Sequence, residues 1–196
     1  MKRLLALAAA LSLPALAAAD TWEIDPAHTS TSFSVKHLVI TTVRGVFGNT
    51  TGKASIDDKN LAKSSVEATV DAATIDTRVK QRDDDLKSPN FLDVAKYPTI
   101  TFKSTKVQPE GKGKLKLTGD LTLHGVTKPV TFQVTGPTAA VKGMQGELRR
   151  ALSGTARINR HDFGLNYGKA VEAGPVVGDM IDVQLDAELV KPAAEK

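Results

Sequence analysis

Apolar and polar residues alternate most regularly between Lys114 and Val134. Leucines occupy positions 115, 117, 121 and 123, whereas lysine, threonine and aspartate occupy the even positions between them. Because successive side chains of a strand point to opposite faces, this period of two predicts a strand with one buried face. The alternation restarts at Val130, and Gly125 tolerates the positive φ of a tight turn after His124. The segment is therefore predicted to be a β-hairpin.

The same alternation recurs along most of the chain. It predicts further strands at residues 29–37, 45–56, 66–71, 99–105, 148–158 and 179–189. A single hairpin is not stable in water, so these strands must cover its apolar face. Short connections make neighbouring strands antiparallel, and one apolar face on each strand favours a closed sheet. The prediction is an all-β fold, an antiparallel, lipocalin-like barrel of about eight strands.

Residues 77–96 interrupt the alternation. Helix-forming residues from 78 to 87 predict a short helix, and Pro89 prevents its continuation. A further turn is expected at residues 91–95. Four apolar residues of this part are expected to cap an open end of the sheet: Leu86, Phe91, Leu92 and Val94. Residues 160–175 are predicted to form a long, glycine-bearing loop.

Residues 1–19 have the features of a secretory signal peptide. Lys2 and Arg3 precede an apolar run of residues 4–13, and small residues precede Asp20. The run is too short to span a bilayer, which takes about 20 apolar residues. We therefore expect cleavage after Ala19 and a soluble single domain of residues 20–196 in the periplasm of a bacterium.

Composition narrows the functional classes. The 196 residues include no cysteine, which excludes disulfides and thiolate chemistry. The net charge of +4 comes from dispersed lysines and arginines, so nucleic-acid binding is disfavoured. A membrane-spanning barrel would need an apolar exterior and aromatic girdles, but aromatic residues make up only 5% of the chain.

The titratable residues do not form a recognisable catalytic or metal motif. The histidines at 28, 37, 124 and 161 lack the spacing of converging metal ligands. The acidic run 83–85 lacks EF-hand spacing and is explained by its place near the start of a short helix. The serine-hydrolase signature GxSxG is absent. We expect no cofactor, no metal and no catalytic group.

The loop that begins at Arg160 is the most chemically loaded segment. An arginine at this place can bind a phosphate or polarise a quinone carbonyl. The alternative, which we favour, is a local ion pair with Asp162 or another residue that fixes the loop.

Several short strings, in this order and spacing, resemble the YceI family of bacterial polyisoprenoid-binding, lipocalin-like periplasmic proteins. They are WEIDP (22–26), FSVKH (33–37), GVF (45–47), RD (82–83), LKSP (86–89), FLDV (91–94), GDLTLHGVTKPV (119–130) and RHDFGL (160–165). This chain departs from the family pattern at Asp85, often a histidine, and at Leu92, often a second phenylalanine. The resemblance implies a barrel that encloses an isoprenoid lipid or a similar amphiphile.

The functional hypothesis is therefore a carrier that sequesters a long isoprenoid, either a quinone or a polyprenyl compound. The ligand-binding residues are predicted to be Phe33, Val35, Phe102, Leu121, Leu123, Phe132, Ile158, Arg160, Phe163, Ile181 and Val183. Ordinary core packing explains the same alternation, and an enzyme of lipid or quinone metabolism on the same barrel is the alternative function. Transient contact with a membrane is expected of such a carrier, and the oligomeric state stays open.

Overall fold

The structure is a computed structural model that describes residues 19–168, 170–171 and 174–192. The predicted signal peptide lies outside the described residues except for Ala19, so its cleavage stays a prediction.

The described residues form strands, one α-helix and three short 3₁₀ helices. The strands are β1 (Asp20–Ile24), β2 (Ser30–His37), β3 (Thr41–Phe47), β4 (Thr50–Ile56), β5 (Ser65–Asp71), β6 (Thr99–Gly111), β7 (Lys114–Leu123), β8 (Val126–Thr135), β9 (Val141–Lys142), β10 (Leu148–Asn159), β11 (Ala170–Val171), β12 (Gly174–Pro175) and β13 (Val177–Lys191). Helix α1 spans Lys80–Lys87, and the 3₁₀ helices span Leu61–Lys63, Ala72–Thr74 and Arg160–Phe163.

The sheet closes into an eight-stranded antiparallel barrel. β1 and β2 follow one another along the same edge of β13, and β4 and β3 pair with them in turn. β1 and β2 together therefore fill one position in the wall, and β3 and β4 together fill the next one. The remaining positions are β5, β6, β7, β8, β10 and β13, and β13 closes the barrel by pairing with both β10 and β2. The predicted fold class is confirmed.

The two ends of the barrel differ. At one end, residues 72–98 cross from β5 to β6 and form the cap; the β2–β3 turn and the loop after β10 lie at this capped end. The opposite end, the base, carries the β4–β5, β6–β7 and β8–β10 connections. At the base, the Arg150 guanidinium lies 5.2 Å from the centre of the Trp22 ring. It donates hydrogen bonds to Thr138 O and Asp58 Oδ1.

The structure corrects several predicted boundaries. The strand predicted at 45–56 begins at Thr41 and is divided at Gly48-Asn49, where Asn49 has a φ of 51°. β1 was not predicted, because Asp25-Pro26 ends its alternation after only two inward residues. Helix α1 begins at Lys80 rather than at residue 78, since Arg78 has a φ of 64°. The predicted loop 160–175 contains a 3₁₀ helix and the two-stranded ribbon β11–β12.

The predicted central hairpin is confirmed in register and in facing. β7 pairs with β8 from Lys114–Thr135 to Leu123–Val126, and His124 and Gly125 both have positive φ in the turn. The four leucines of β7 are buried, as predicted.

Candidate functional site

The barrel encloses an elongated cavity of about 210 Å³. Its lining extends from Ile24 and Leu189 near the base to Leu86 and Phe91 of the cap. Every atom exposed to the cavity is apolar, even where a threonine or serine contributes to the wall. The interior thus contains an apolar channel along the barrel axis.

The cavity is long and narrow. Along β13 the lining includes Val177 and alternate residues from Ile181 to Leu189. The eight steps from Ile181 to Leu189 at about 3.3 Å, reduced by strand tilt, give roughly 20 Å along the axis. Compact pockets for drug-sized ligands usually hold about 300–1,000 Å³, whereas an apolar cavity of about 150 Å³ already binds benzene. These dimensions suit a slender apolar chain better than a bulky ring system.

Ten of the eleven predicted ligand-binding residues line this cavity. The exception is Phe163, which is buried in the neighbouring core cluster and does not reach the cavity wall. The ten lining residues are Phe33, Val35, Phe102, Leu121, Leu123, Phe132, Ile158, Arg160, Ile181 and Val183. Their contact with a ligand stays a prediction.

The Arg160 side chain fixes the loop that follows it by hydrogen bonds to backbone carbonyls. Its buried guanidinium donates Nη1 to Leu165 O at 2.5 Å, Nε to Gly178 O at 3.1 Å and Nη2 to Val177 O at 3.3 Å. Nη2 also lies 3.3 Å from Asp179 Oδ1, which receives His161 Nε2 at 2.9 Å. The loop-fixing interpretation of Arg160 therefore fits the geometry, with Asp179 rather than Asp162 as the partner. These bonds leave little hydrogen-bonding capacity for a ligand head group.

The cap is fixed by a small polar network around Thr77. Asp83 Oδ1 accepts hydrogen bonds from the Thr77 amide at 2.8 Å and from its hydroxyl at 2.5 Å. Arg82 donates Nε to Thr77 Oγ1 at 2.7 Å and Nη2 to Thr77 O at 2.9 Å. Arg82 and Asp83 of α1 thus fix the chain that enters the helix. Asp83 therefore has a structural role, and no catalytic role is needed to explain it.

The apolar side of the cap closes the cavity. Leu86, Phe91 and Leu92 line it, while Leu86 and Val94 pack against the core cluster that includes Leu121. The Phe91 ring stacks on Tyr167 with centroids 4.7 Å apart, which joins the cap to the loop after β10. The predicted capping role of this segment is confirmed.

A sequence model of the YceI-like domain matches residues 22–189. The chain belongs to the YceI-like family. A UPF0312 protein of Vibrio parahaemolyticus is 41% identical over 189 residues, covering 94% of this chain and 95% of that protein. A UPF0312 protein of Shewanella denitrificans is 36% identical over 184 residues, covering 92% and 96%.

Solved structures of the family share the barrel. BcnA of Burkholderia cenocepacia matches with a TM-score of 0.73 and 25% identity, over 86% of this chain and 99% of that one. The YceI protein of Campylobacter jejuni matches with a TM-score of 0.68 and 26% identity, over 80% and 90%. A polyisoprenoid binding domain from Saccharophagus degradans has the same fold, with a TM-score of 0.64, 14% identity and coverage of 87% and 98%.

In this YceI-like barrel, sequence reasoning missed cavity residues of two kinds. Leu117, Val134 and Leu185 belong to the alternating rows that were recognised, so the same pattern identifies them. Ile75 and Leu165 also line the cavity, but they lie in irregular segments where no period marks the inward side.

Both departures from the family pattern lie in the cap. Asp85 Oδ1 accepts a hydrogen bond from Asn90 Nδ2 at 2.8 Å and so fixes the turn after α1. Leu92 is buried and lines the cavity, so it affects the shape of the capped end directly.

A larger concavity of about 800 Å³ lies on the outer wall across β8, β10, β13, β2 and β3. It is open to solvent and combines apolar surface with charged side chains, among them Arg157, whose Nε lies 2.5 Å from Asp182 Oδ1. The Arg157 hydrogen bond lowers the pKa of Asp182. The smaller interior cavity is the candidate site for an apolar ligand, because the interior would remove an apolar chain from water.

Asp25, His28 and Glu188 place metal-ligand types within 4.8 Å of one another near the base. Arg149 occupies this cluster, however: its Nη1 lies 2.9 Å from Asp25 Oδ2 and also contacts Glu188 Oε1. The hydrogen bond from His28, supported by Arg149, lowers the pKa of Asp25. A guanidinium between the carboxylates opposes a second cation, so the cluster is an ion-pair network that joins β10 to β13 and the β1–β2 connection.

In the described part of the chain, no helix is both long and apolar enough to cross a membrane.

Proposed function

We propose that this YceI-like protein is a periplasmic carrier that binds a long isoprenoid or a similar single-chain lipid inside the barrel. The observation that carries the proposal is the enclosed axial cavity, which exposes only apolar atoms. An enzyme acting on such a lipid would need reactive groups at the ligand, and the cavity wall supplies none in the described residues.

Desolvation of the chain provides the affinity. Each buried CH₂ contributes roughly 0.8 kcal/mol, so about 15 buried carbons contribute roughly 12 kcal/mol. Immobilising the ligand costs roughly 4–15 kcal/mol, so useful affinity requires most of the cavity length to be occupied. A long flexible isoprenoid meets this requirement, whereas a short apolar molecule does not.

The geometry favours insertion of the tail with the head group outside. A quinone ring or a phosphate placed in the cavity would lose its water and find no exposed polar partner there. Arg160, the charged residue that contributes to the wall, is already engaged with Leu165, Gly178 and Val177. The barrel should therefore select the length and shape of the chain and tolerate different head groups.

We place the entry of the lipid into the cavity at the capped end. The base is filled by Trp22, Ile24, Ile56 and Leu189, which are almost completely buried. Helix α1, in contrast, has no buried residue, and irregular segments with few buried contacts open most readily.

Two further observations agree with this proposal. The Saccharophagus degradans domain, whose name denotes polyisoprenoid binding, has the same fold, although 14% identity carries only the fold. The signal-like residues 1–19 support export to the periplasm, where a carrier would shield a lipid between membranes.

The test is a chain-length series of prenyl alcohols with the delipidated protein. Affinity should rise by about tenfold for every two buried carbons, then level off when the cavity is full. A quinone with the same prenyl chain should bind within a few-fold of the alcohol, and mass spectrometry of the extract should recover it unchanged. Protein purified without detergent should also carry endogenous lipid.

Failure of every prenyl chain to bind would overturn the carrier proposal. Recovery of a chemically altered ligand would favour the enzyme alternative. Affinity that depended strongly on the head group but not on chain length would contradict the tail-inside orientation.

A further inference from the structure

The turn between β2 and β3 carries exposed apolar side chains at the capped end. Val39 is 56% exposed and Ile40 is 76% exposed, and the turn lies where β2 ends beside the first residue of β13. Exposed apolar residues are common singly, but these two adjoin at the tip of a hairpin. They project from the same end of the barrel at which we place lipid access.

The backbone of this turn is unfavourable for the residues it holds. Leu38 has a φ of 49° and Val39 a φ of 67°, in the left-handed region where glycine and asparagine are the usual choices. A β-branched residue there is a true outlier. Asparagine or glycine at these positions would relieve the backbone strain and would expose less apolar surface to water. Stability and solubility therefore both disfavour the leucine and valine that are present. Strained residues of this kind often serve a binding role.

Two further exposed apolar side chains lie at the capped end. Val79 is 46% exposed and Met180 is 45% exposed. Val79 immediately precedes helix α1 of the cap, and the bridge between Val46 and Asp76 holds the chain three residues before it beside β3. Met180 lies near the start of β13, next to β2.

The same region has a basic flank. Lys36, Arg44 and Arg78 are exposed, and none of them has an ion-pair partner among the residues that the structure describes. Of the nearby carboxylates, Asp84 pairs with Lys80, and Asp179 receives Arg160 and His161. Asp76 accepts the Arg78 amide and keeps its negative charge. The flank therefore presents three cations against one carboxylate, which leaves net positive charge beside the apolar tip.

We propose that this surface, formed by Val39, Ile40, Val79 and Met180 with Lys36, Arg44 and Arg78, docks the capped end onto an anionic lipid bilayer. The apolar tip enters the boundary between head groups and acyl chains, and the basic flank contacts the lipid phosphates, as in other peripheral membrane proteins. The inference deepens the proposed function and rests on it, because docking would let an apolar chain pass between bilayer and barrel without crossing water.

Vesicle co-sedimentation of the mature protein tests the tip. Wild-type protein should bind vesicles that contain phosphatidylglycerol more tightly than pure phosphatidylcholine vesicles, and added salt should weaken the binding. Ile40→Asp should weaken binding at least tenfold. The matched control is Val141→Asp, since Val141 is 61% exposed but lies near the base. Equal loss in both variants, or no loss in either, would overturn the assigned surface.

A charge-reversal pair tests the flank. Lys36→Glu with Arg44→Glu should reduce binding to anionic vesicles and remove most of its salt dependence. Lys63→Glu with Lys112→Glu changes the net charge by the same amount, but these exposed lysines lie in connections at the base. If both pairs reduce binding equally, attraction depends on net charge and the proposed flank is wrong.

Fluorescence gives an independent readout of insertion. Trp22, the single tryptophan, is buried, so tryptophan introduced at position 40 can be followed by difference. Emission from Ile40→Trp should shift to the blue with anionic vesicles, whereas emission from Met144→Trp near the base should not. The absence of a shift in Ile40→Trp would refute insertion of the tip.

Two controls distinguish membrane docking from a failure of the carrier function and from self-association of the protein. Ile40→Asp should bind, in the absence of vesicles, the prenyl alcohol whose chain fills the cavity as tightly as wild type does, so failure of the carrier function would appear in that titration and not in the vesicle assay. Light scattering without vesicles tests the turn as a self-association surface. Dimers that Ile40→Asp disrupts, without vesicle binding by wild type, would replace the membrane by a second copy of the chain and overturn the proposal.

Discussion

Gly154 provides a direct test of whether the interior is a ligand cavity or a filled core. It lies on β10, lines the cavity and faces Val134 of β8. A Cβ at this position would lie 3.4 Å from Val134 Cγ2 and 3.7 Å from Phe132 Cδ1, which are ordinary contact distances. Gly154→Leu therefore adds four carbons towards the cavity without forcing the backbone to move.

The expected effects on the empty protein and on ligand binding have opposite signs. Burial of four carbons raises the free energy of unfolding by at most about 3 kcal/mol. Replacing a glycine within a strand adds about 0.5–1 kcal/mol, which offsets the rotamer entropy that the buried leucine loses. Allowing for imperfect fit, we expect the empty barrel to be about 1–2 kcal/mol more stable. A lipid that gives up about four buried carbons loses roughly 3 kcal/mol, which weakens binding by more than a hundredfold.

The assay is thermal unfolding of delipidated protein with and without a saturating prenyl alcohol. Wild type should gain stability from the ligand, by about 2.7 kcal/mol at a concentration of 100 Kd, whereas Gly154→Leu should start higher and gain little. The contrasting variant is Gly119→Leu, whose Cβ would lie 2.5 Å from Lys103 O and Phe102 Cζ, so it should unfold the barrel. A filled core predicts a loss of about 1–3 kcal/mol for Gly154→Leu as well, and that result would refute the cavity.

Two further predictions test the wall and the base. Leu121→Asp should lower the free energy of unfolding by at least about 4 kcal/mol because it buries a charge. Thr122→Asp should lower it by only about 1 kcal/mol, through loss of the 2.8 Å hydrogen bond to Thr127. Equal melting temperatures of the two variants would show that the faces of β7 are misassigned. Asp25→Asn should lower Tm by about 2–4 °C at pH 7. Since the pKa of Asp25 is lowered in the folded state, its stabilisation is complete well above the unfolded value of about 3.8 and is lost as pH falls through the folded pKa. The difference between wild type and Asp25→Asn should therefore close below about pH 4, and a difference unchanged at pH 3 would contradict the ion-pair network.

The alternation of side chains predicted the barrel wall and most of the cavity lining, because both depend only on which face a residue occupies. It predicted residues 45–56 as one strand and so placed the end of β3 and the whole of β4 in one position of the wall, but it did not reveal that β1 shares a position with β2. Asp25-Pro26 has the composition of a strand end, and only the pairing of β1 and β2 with the same edge of β13 shows that it interrupts a continuous position.

The roles of Arg160 and Phe163 depend on contacts that sequence spacing does not encode. The Arg160 guanidinium finds carbonyls up to 18 residues away, on the far side of a loop, so the nearer Asp162 was a reasonable but incorrect candidate. Phe163 is the last residue of the 3₁₀ helix Arg160–Phe163 and is buried in the core beside His124, whose Nδ1 lies 3.3 Å from Phe163 O. Whether alternating apolar residues surround a void or fill it depends on volumes, for which Gly154 was the relevant signal.

For the proposed carrier, the distribution of polar groups would place selectivity at the capped end. The cavity wall offers no polar atom to a ligand and the base is sealed by Trp22 and its neighbours, so neither can distinguish one head group from another. The length and width of the channel remain as criteria, and Leu86, Phe91 and Leu92 of the cap define its upper limit. The departures from the family pattern at Asp85 and Leu92 both fall in this segment. Within the YceI-like fold, differences in ligand should therefore follow differences in the cap, because the wall can change only by altering the packing that holds the barrel together.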